Sequence, residues 1–338
     1  MSFLFLATNQ IFLWLLRLTE QQDYQSLTHE FLEILKENPY ITSVSGYEIY
    51  NHKHRVSDDS SVDGRLIRRF PLDFTKEDDV ADNIHVSNSS HVIGISTSEE
   101  DEYDCFSWAI LTVKGGNGPD RSILVEGKLN ESTMEMLKHL RGIYQNLVIL
   151  HDAKERDLLT TLPNRQSLDL RLMQVCQHYC DNPISDKVRD KSSWIAILDI
   201  DHFKQVNDNF GHLYGDEVLL IFSQIMGKKF RYNDFLFRFG GEEFVVILNL
   251  ATQESALATF NRFREAVADY NFPTVGKVTV SIGATHIENS AMPSILLDRA
   301  DKALYYAKEH GRNQVVLYEL TQELVANEYE NDSEIELF

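Results

Sequence analysis

The residues best suited to chemistry lie in one short stretch, Arg238-Phe239-Gly240-Gly241-Glu242-Glu243-Phe244. Apolar runs flank it, Asp234-Phe235-Leu236-Phe237 before and Phe244 to Leu248 after, and their aromatic and β-branched residues suit strands. A Gly-Gly pair between two strands reads as a hairpin turn, since glycine reaches positive φ without a Cβ clash. Its bare backbone also admits a ligand closely. Glu242 and Glu243 then stand at the hairpin tip, one to each face of the strand. Carboxylates in that place can hold Mg²⁺ and take a proton beside a phosphate. An acidic turn without chemistry is the alternative.

A second acidic group ends a buried strand. Trp194-Ile195-Ala196-Ile197-Leu198 is a continuous apolar run leading into Asp199-Ile200-Asp201. By the period of two, Asp199 and Asp201 would share a face if the strand continued. The polar residues that follow predict that it stops, so spacing leaves open whether both reach one ion. After His202 and Phe203, the backbone N–H groups and the cation of Lys204 suit phosphate oxygens. Asn207 and Asp216 are side chains able to read a base edge. Asp216 is also placed to cap a helix predicted over 217–230. Arg231-Tyr232-Asn233-Asp234 is an R-x-x-D pair that can take a phosphate or guanine edge, or form a helix-end ion pair.

These elements sit in a chain of 338 residues, long enough for two domains, with 43% hydrophobic and 25% charged residues, which are globular values. A net charge of −20 excludes a general DNA- or RNA-binding surface. Any anionic substrate must meet locally clustered cations or a metal. Cys105, Cys176 and Cys180 form no disulfide framework, and Cys176, His178 and Cys180 lack a second pair to complete a metal site, so the cytoplasm is the expected compartment. The apolar stretch Phe3 to Leu18 is too short to span a bilayer and lacks a basic leader, so it reads as a helix packing on the N-terminal domain or on a partner chain, with attachment to a membrane surface as the lesser alternative.

Before the acidic strands, the pattern predicts a helix over 19–36, strands over 41–50, 66–74, 91–95, 106–113 and 122–126, and a turn at 114–120. Loops are expected over 52–63 and 75–82, and Cys105, His85 and His91 read as packing or surface residues. A long helix starts at Asn130. Met136, Leu140, Ile143, Leu147 and Leu150 recur at steps of 4, 3, 4 and 3, the seam of a coiled coil or one face of an ordinary amphipathic helix. With no Gly/Pro linker after it, the two domains are expected to be joined by stiff helix. The layout of residues 1–150 resembles a GAF domain, and PAS-like domains share it.

In the second half, DLLTTLPNR, LDIDHFKxxNDxFGHxxGDE, RFGGEEF, VTVSIGAT and RADKALYYAKEHGRN follow one another over Asp157 to Tyr318. Together they resemble the GGDEF family of diguanylate cyclases. Thr161 stands where the family often has Gly, and Glu242 where its name has Asp. The resemblance implies an α/β (α+β) chain of two domains. An N-terminal GAF/PAS-like antiparallel sheet with helices would span 1–129 and a linker helix 130–156. A GGDEF domain with a central sheet flanked by helices would span 157–318, followed by an acidic tail over 319–338.

It further implies a homodimer that joins two GTP into cyclic di-GMP with loss of two pyrophosphates. Asp199, the Ile200 carbonyl, Glu242 and Glu243 would hold Mg²⁺ or Mn²⁺, two ions per site. Glu242 would be the base on the ribose 3′-OH and Lys204 would stabilise charge on the phosphates. Asn207, His212 and Asp216 would meet guanine. Residues His202 and Phe203, with Gly240 and Gly241, would line the nucleotide, and Lys308 and Arg312 would grip its terminal phosphates. Arg231 and Asp234 would form an inhibitory cyclic di-GMP site.

Overall fold

The structure is a computed structural model, and it describes residues 2–51, 65–70, 106–116, 118–181, 192–231, 233–288 and 292–321. The strand expected at 91–95, the loops expected at 52–63 and 75–82, Cys105, His85 and His91, residues 182–191 and the tail from 322 lie outside them. The chain divides into two compact units, Met1–Arg156 and Asp157–Phe338.

The first unit contains α1 (Ser2–Thr19), α2 (Tyr24–Lys36), β1 (Ile41–Asn51), β2 (Arg65–Phe70), β3 (Phe106–Val113), β4 (Asp120–Leu129) and α3 (Glu131–Glu155). Its strands form an antiparallel sheet in the order β2-β1-β4-β3. The expected turn at 114–120 joins β3 to β4, with Val113 opposite Arg121. Asp23 caps α2 by accepting the Gln25 and Ser26 N–H groups, and Asn130 caps α3 by accepting that of Thr133. In α1, Trp14 and Leu18 are buried in the core, while Ile11, Phe12, Leu13 and Leu16 face outward.

The buried stripe of α3 is Met134, Leu137, Leu140, Tyr144 and Val148. It lies beside the 4-3-4-3 row, from which only Leu140 is buried; Met136, Ile143 and Leu147 are half-buried and Leu150 is 65% exposed. Aromatic packing fixes this rotation of the helix. The Tyr144 ring stacks on Phe31 at 4.2 Å, and its hydroxyl meets Thr28 Oγ1 at 2.7 Å.

The second unit runs α4 (Arg165–Asp181), β5 (Ser192–Ile200), α5 (Phe203–Phe210), α6 (His212–Lys229), β6 (Phe235–Arg238), β7 (Glu243–Ala251), α7 (Gln253–Asp269), β8 (Val280–His286), α8 (Pro293–Glu309) and β9 (Val315–Leu317). The sheet order is β6-β7-β5-β8-β9, antiparallel except for the β8–β9 pair. Strand β5 lies at the centre, buried from Ser193 to Ile200, as its unbroken apolar run requires. One sheet face packs Ala196, Leu198, Phe244 and Val246 against Phe222, Phe260 and Phe263 of α6 and α7. Helix α8 lies on β8 and β5.

Candidate active site

The acidic strand ends meet where β5, β7 and β8 stop together. Asp199 is opposite Glu243 on β7 and Ser281 on β8. It is 6% exposed. Beside it, the Ile200 N–H donates to the Glu242 carbonyl at 3.4 Å. Lys308, in the last turn of α8, reaches the same place, with its Nζ 2.9 Å from Asp199 Oδ2. A glycine makes that reach possible. At Gly283 on β8, an added Cβ would lie 2.1 Å from the Leu304 nitrogen and 2.3 Å from the Ala300 carbonyl oxygen. The α8 backbone therefore lies directly on the sheet, and Ala300, Ala303 and Ala307 are buried along it.

These carboxylates are not at ease. Burial pushes the Asp199 carboxyl above its ordinary range, and the Lys308 ammonium only partly opposes it. Burial, then the charge of Asp199, pushes Glu242 and Glu243 up as well. Among the described residues no three His, Cys, Asp or Glu side chains converge as ready metal ligands. The ammonium of Lys308 is the cation on Asp199 instead. The set of groups nevertheless fits a hard divalent cation: all donors are oxygens, their mutual repulsion is relieved by added positive charge, and the built-in cation is on a long side chain that can withdraw.

The Gly-Gly turn forms as expected, with Arg238 opposite Phe244 and the Phe239 and Gly240 N–H groups donating to the Glu243 carbonyl. The turn does not use the positive φ expected of its glycines, because neither Gly240 nor Gly241 adopts left-handed φ. A Cβ on Gly240 would lie 2.8 Å from Glu243 Oε2, whereas one on Gly241 would meet nothing within 4 Å. The first glycine gives room to the Glu243 carboxylate and the second leaves the tip open. Strand β7 begins only at Glu243, so alternation does not govern Glu242, and both feel the charges of Asp199 and Lys308.

Arg238 ties this tip to the start of the unit. It donates to the Gly240 and Gly241 carbonyls and, through Nη1 at 2.8 Å, to Asp157 Oδ1. The same oxygen accepts from the Thr160 N–H and hydroxyl. Burial would raise the Asp157 carboxyl, but Arg238 and Thr160 outweigh it and hold it low. Thr161, where the family often has Gly, is left-handed at φ 60°. That is the conformation a glycine would relax.

Opposite the acidic groups, His202 turns the chain out of β5 in a left-handed conformation and α5 begins. Phe203 is 5% exposed in the core, so it can offer a ligand its backbone only. Lys204 is exposed. The expected helix start at Asp216 is corrected: α6 begins at His212, after Gly211 with φ 89°, so Asp216 lies one turn into the helix and is no N-cap. Glycine can make this α5–α6 corner and a Cβ would strain it, so the break falls there. His212 and Asp216, four apart, share an exposed face, and Asn207 adjoins α6 where Gly215 makes room. A Cβ on Gly215 would lie 2.0 Å from Asn207 Oδ1, a requirement that the residue pattern did not signal.

Arg312 follows α8 and is near enough to pull the Asp199 carboxyl downward. Asp201 is held by partners other than those of Asp199. The strand ends at Ile200, and the Asp201 side chain turns to β8, accepting from Thr279 Oγ1 and Ser281 Oγ, each at 2.7 Å, and from the Asn313 N–H at 3.0 Å. The R-x-x-D pair lies at the other end of β6 from the Gly-Gly tip. Asp234 is buried and accepts the backbone N–H groups of Arg231 and Asn249, so it pins the turn; Arg231 is exposed.

Residues 154–314 match the family described as diguanylate cyclase, GGDEF domain, and this stretch is a GGDEF domain. The chain is similar to the diguanylate cyclase DgcP of Pseudomonas aeruginosa, 40% identical over 198 residues that cover 56% of this chain and 28% of that protein. It is also similar to the probable diguanylate cyclase DgcT of Escherichia coli, 36% identical over 206 residues, 58% of this chain and 42% of the relative. The chain thus spans less than half the length of either curated relative. Among solved structures it is similar to the GGDEF domain of DgcB from Caulobacter crescentus in complex with c-di-GMP, with 31% identity and a TM-score of 0.45, covering 49% of this chain and 96% of that one. No described helix is long and apolar enough to cross a membrane.

Proposed function

We propose that the GGDEF domain at residues 154–314 makes the chain a diguanylate cyclase, which condenses two GTP into cyclic di-GMP and two pyrophosphates. The observation that carries this reading is the meeting of Asp199, Glu242 and Glu243 with Lys308 and Arg312 at one sheet end. In each half-reaction a ribose 3′-oxygen attacks an α-phosphorus, the bond to pyrophosphate breaks, and the hydroxyl proton goes to a base. Glu242 is that base; burial and the neighbouring charge of Asp199 raise its proton affinity toward working pH.

Asp199, the Ile200 carbonyl, Glu242 and Glu243 would hold Mg²⁺ or Mn²⁺, in two ions per site. When bound, the metal neutralises the triphosphate and organises in-line displacement. On arrival of the nucleotide, Lys308 leaves Asp199 for the terminal phosphates, joined there by Arg312, while Lys204 meets the charge that develops in transfer. Asn207, His212 and Asp216 read guanine from the α5–α6 corner. Each domain holds one GTP, so two copies must face each other. The first unit serves as a GAF-like sensor that controls this pairing, and the chain works in the cytoplasm, where GTP is supplied. Product inhibition at the R-x-x-D turn rests on the exposed Arg231, with Asp234 orienting the turn.

The test is turnover of GTP with Mg²⁺ by the full chain, following cyclic di-GMP by chromatography, with Glu242→Gln alongside. Product from the wild type alone supports the assignment. Equal product from both removes Glu242 as base, and GTP binding without turnover in either leaves the domain a receptor.

A further inference from the structure

The use of Asp201 is unaccounted for by the roles above. It stands two residues beyond Asp199, is 5% exposed, and receives three donors from two other elements. Both of its oxygens are thereby tied to the protein. What it holds is informative. The Asn313 N–H belongs to a turn in which Gly311, Arg312 and Asn313 have φ of 105°, 59° and 44°. Consecutive left-handed L-residues are disfavoured and persist only when the surroundings over-determine them.

Here the surroundings do so on three sides. The Arg312 N–H donates to the Ala307 carbonyl at the end of α8. Arg264 of α7 donates to Asn313 Oδ1 at 3.1 Å and to its carbonyl at 3.4 Å. Asp201 takes the Asn313 N–H, and its own orientation is fixed by the Thr279 and Ser281 hydroxyls. Of the three anchors, only Asp201 comes from the strand end that also presents Asp199.

We propose that Asp201 is a positioning residue that locks the Arg312 turn to the Asp199 end of β5, fixing the span over which a triphosphate is gripped. The inference rests on the cyclase reading, in which Arg312 meets the terminal phosphates. The geometry gives it a specific consequence. Loss of the clamp lets Arg312 drift from the phosphates and leaves the guanine side at α5 and α6 in place, since Asp201 makes no side-chain contact with either helix among the described hydrogen bonds.

The experiment is calorimetric titration of the full chain with GTP and with GMP, in Ca²⁺ to slow turnover, for the wild type, Asp201→Asn, Arg312→Ala and the double variant. Asp201→Asn is expected to weaken GTP binding about tenfold and GMP binding less than twofold. In the Arg312→Ala background the same change is expected to shift GTP binding less than twofold, because the residue it acts through is gone. Should Asp201→Asn fail to fold, Thr279→Val removes the hydroxyl that orients Oδ2 and is expected to weaken GTP selectively by about threefold. Equal weakening of GTP and GMP, or full weakening of GTP by Asp201→Asn without Arg312, overturns the inference while leaving the cyclase reading intact. A wild type that binds no GTP overturns both.

Discussion

Two ion pairs, one in each unit, show how differently the chain treats buried charge. In the first unit Arg121 of β4 meets Asp152 of α3 at 3.5 Å, with side chains only 3% and 1% exposed. Burial alone would lower the guanidinium's proton affinity, but the negative charges of Asp152 and Glu48 around it outweigh this and raise it. The Tyr144 hydroxyl is pushed up to about 12 by burial, so it stays neutral beside them. In the second unit Lys308 meets Asp199 at 2.9 Å, but the side chains are 31% and 9% exposed, and Glu242 and Glu243 add negative charge that Lys308 offsets only in part. The first arrangement is closed and its charged forms are favoured. The second is open, with its carboxylates pushed toward protonation. An unrelieved charge at an accessible strand end is what a bound cation or phosphate exchange can use, and it is where stability is given up for function.

The contrast is broken or sharpened by substitution. Glu242→Gln is expected to lower cyclic di-GMP formation by roughly 10²–10⁴-fold, the usual contribution of a general base. Its metal-free melting temperature should not fall, because the change removes a repelled charge. A large loss of stability would place Glu242 among structural residues. Asp152→Ala should behave in the opposite way, leaving Arg121 buried beside one carboxylate fewer at a cost of about 3–5 kcal/mol. Urea unfolding can follow it through Trp14 and Trp108 in a Trp194→Phe background, which confines the fluorescence to the first unit.

A smaller effect is expected from the metal. Mg²⁺ should raise the melting temperature of the wild type, and Glu243→Gln should start higher in EDTA and gain less from Mg²⁺, since both relieve the same repulsion. Scanning calorimetry with and without EDTA reads this directly. Identical gains would remove Glu243 from the cation's surroundings.

The smallest effect lies at an ordinary ion pair away from the site. Glu319 accepts from Thr285 and pairs with His286 at 2.7 Å. Glu319, first by its hydrogen bond, holds His286 above its ordinary value of 6.5. Burial would raise Glu319, but His286 and Thr285 outweigh it and hold it below 4.5. The histidine's contribution is therefore complete below pH 6.5 and is lost as pH rises through its raised folded value. The glutamate's is complete above 4.5 and is lost as pH falls through its depressed folded value. The pair should contribute at most about 1 kcal/mol, greatest between those limits, and Glu319→Gln should flatten the pH dependence of urea midpoints there.

Much of the frame is legible in the residue pattern. The apolar run into Asp199 reads as a central strand because burial on both faces removes alternation. The hairpin around Gly240-Gly241 is equally plain, and Asn130 marks the start of α3. The coiled-coil row on α3 was less informative, because helical periodicity tells which residues are apolar and not which of two neighbouring stripes a sheet will cover. The early start of α6 was missed for a local reason: a glycine corner ended α5 and the next helix began without a polar cap.

Which groups are available, and in what order, is written in the chain: a carboxylate at a strand end, two more beyond a glycine turn, and cations at the end of the last long helix and just past it. The tertiary structure alone decided which of them meet. Lys308 reaches Asp199 because Gly283 lets α8 lie on the bare backbone of β8. Asp201 turns away from Asp199 because Thr279, just before β8, and Ser281 on it each offer a hydroxyl and the 311–313 turn an N–H. Neither fact has a local signature, since each depends on the distance between elements far apart in the chain, and that distance is set by packing.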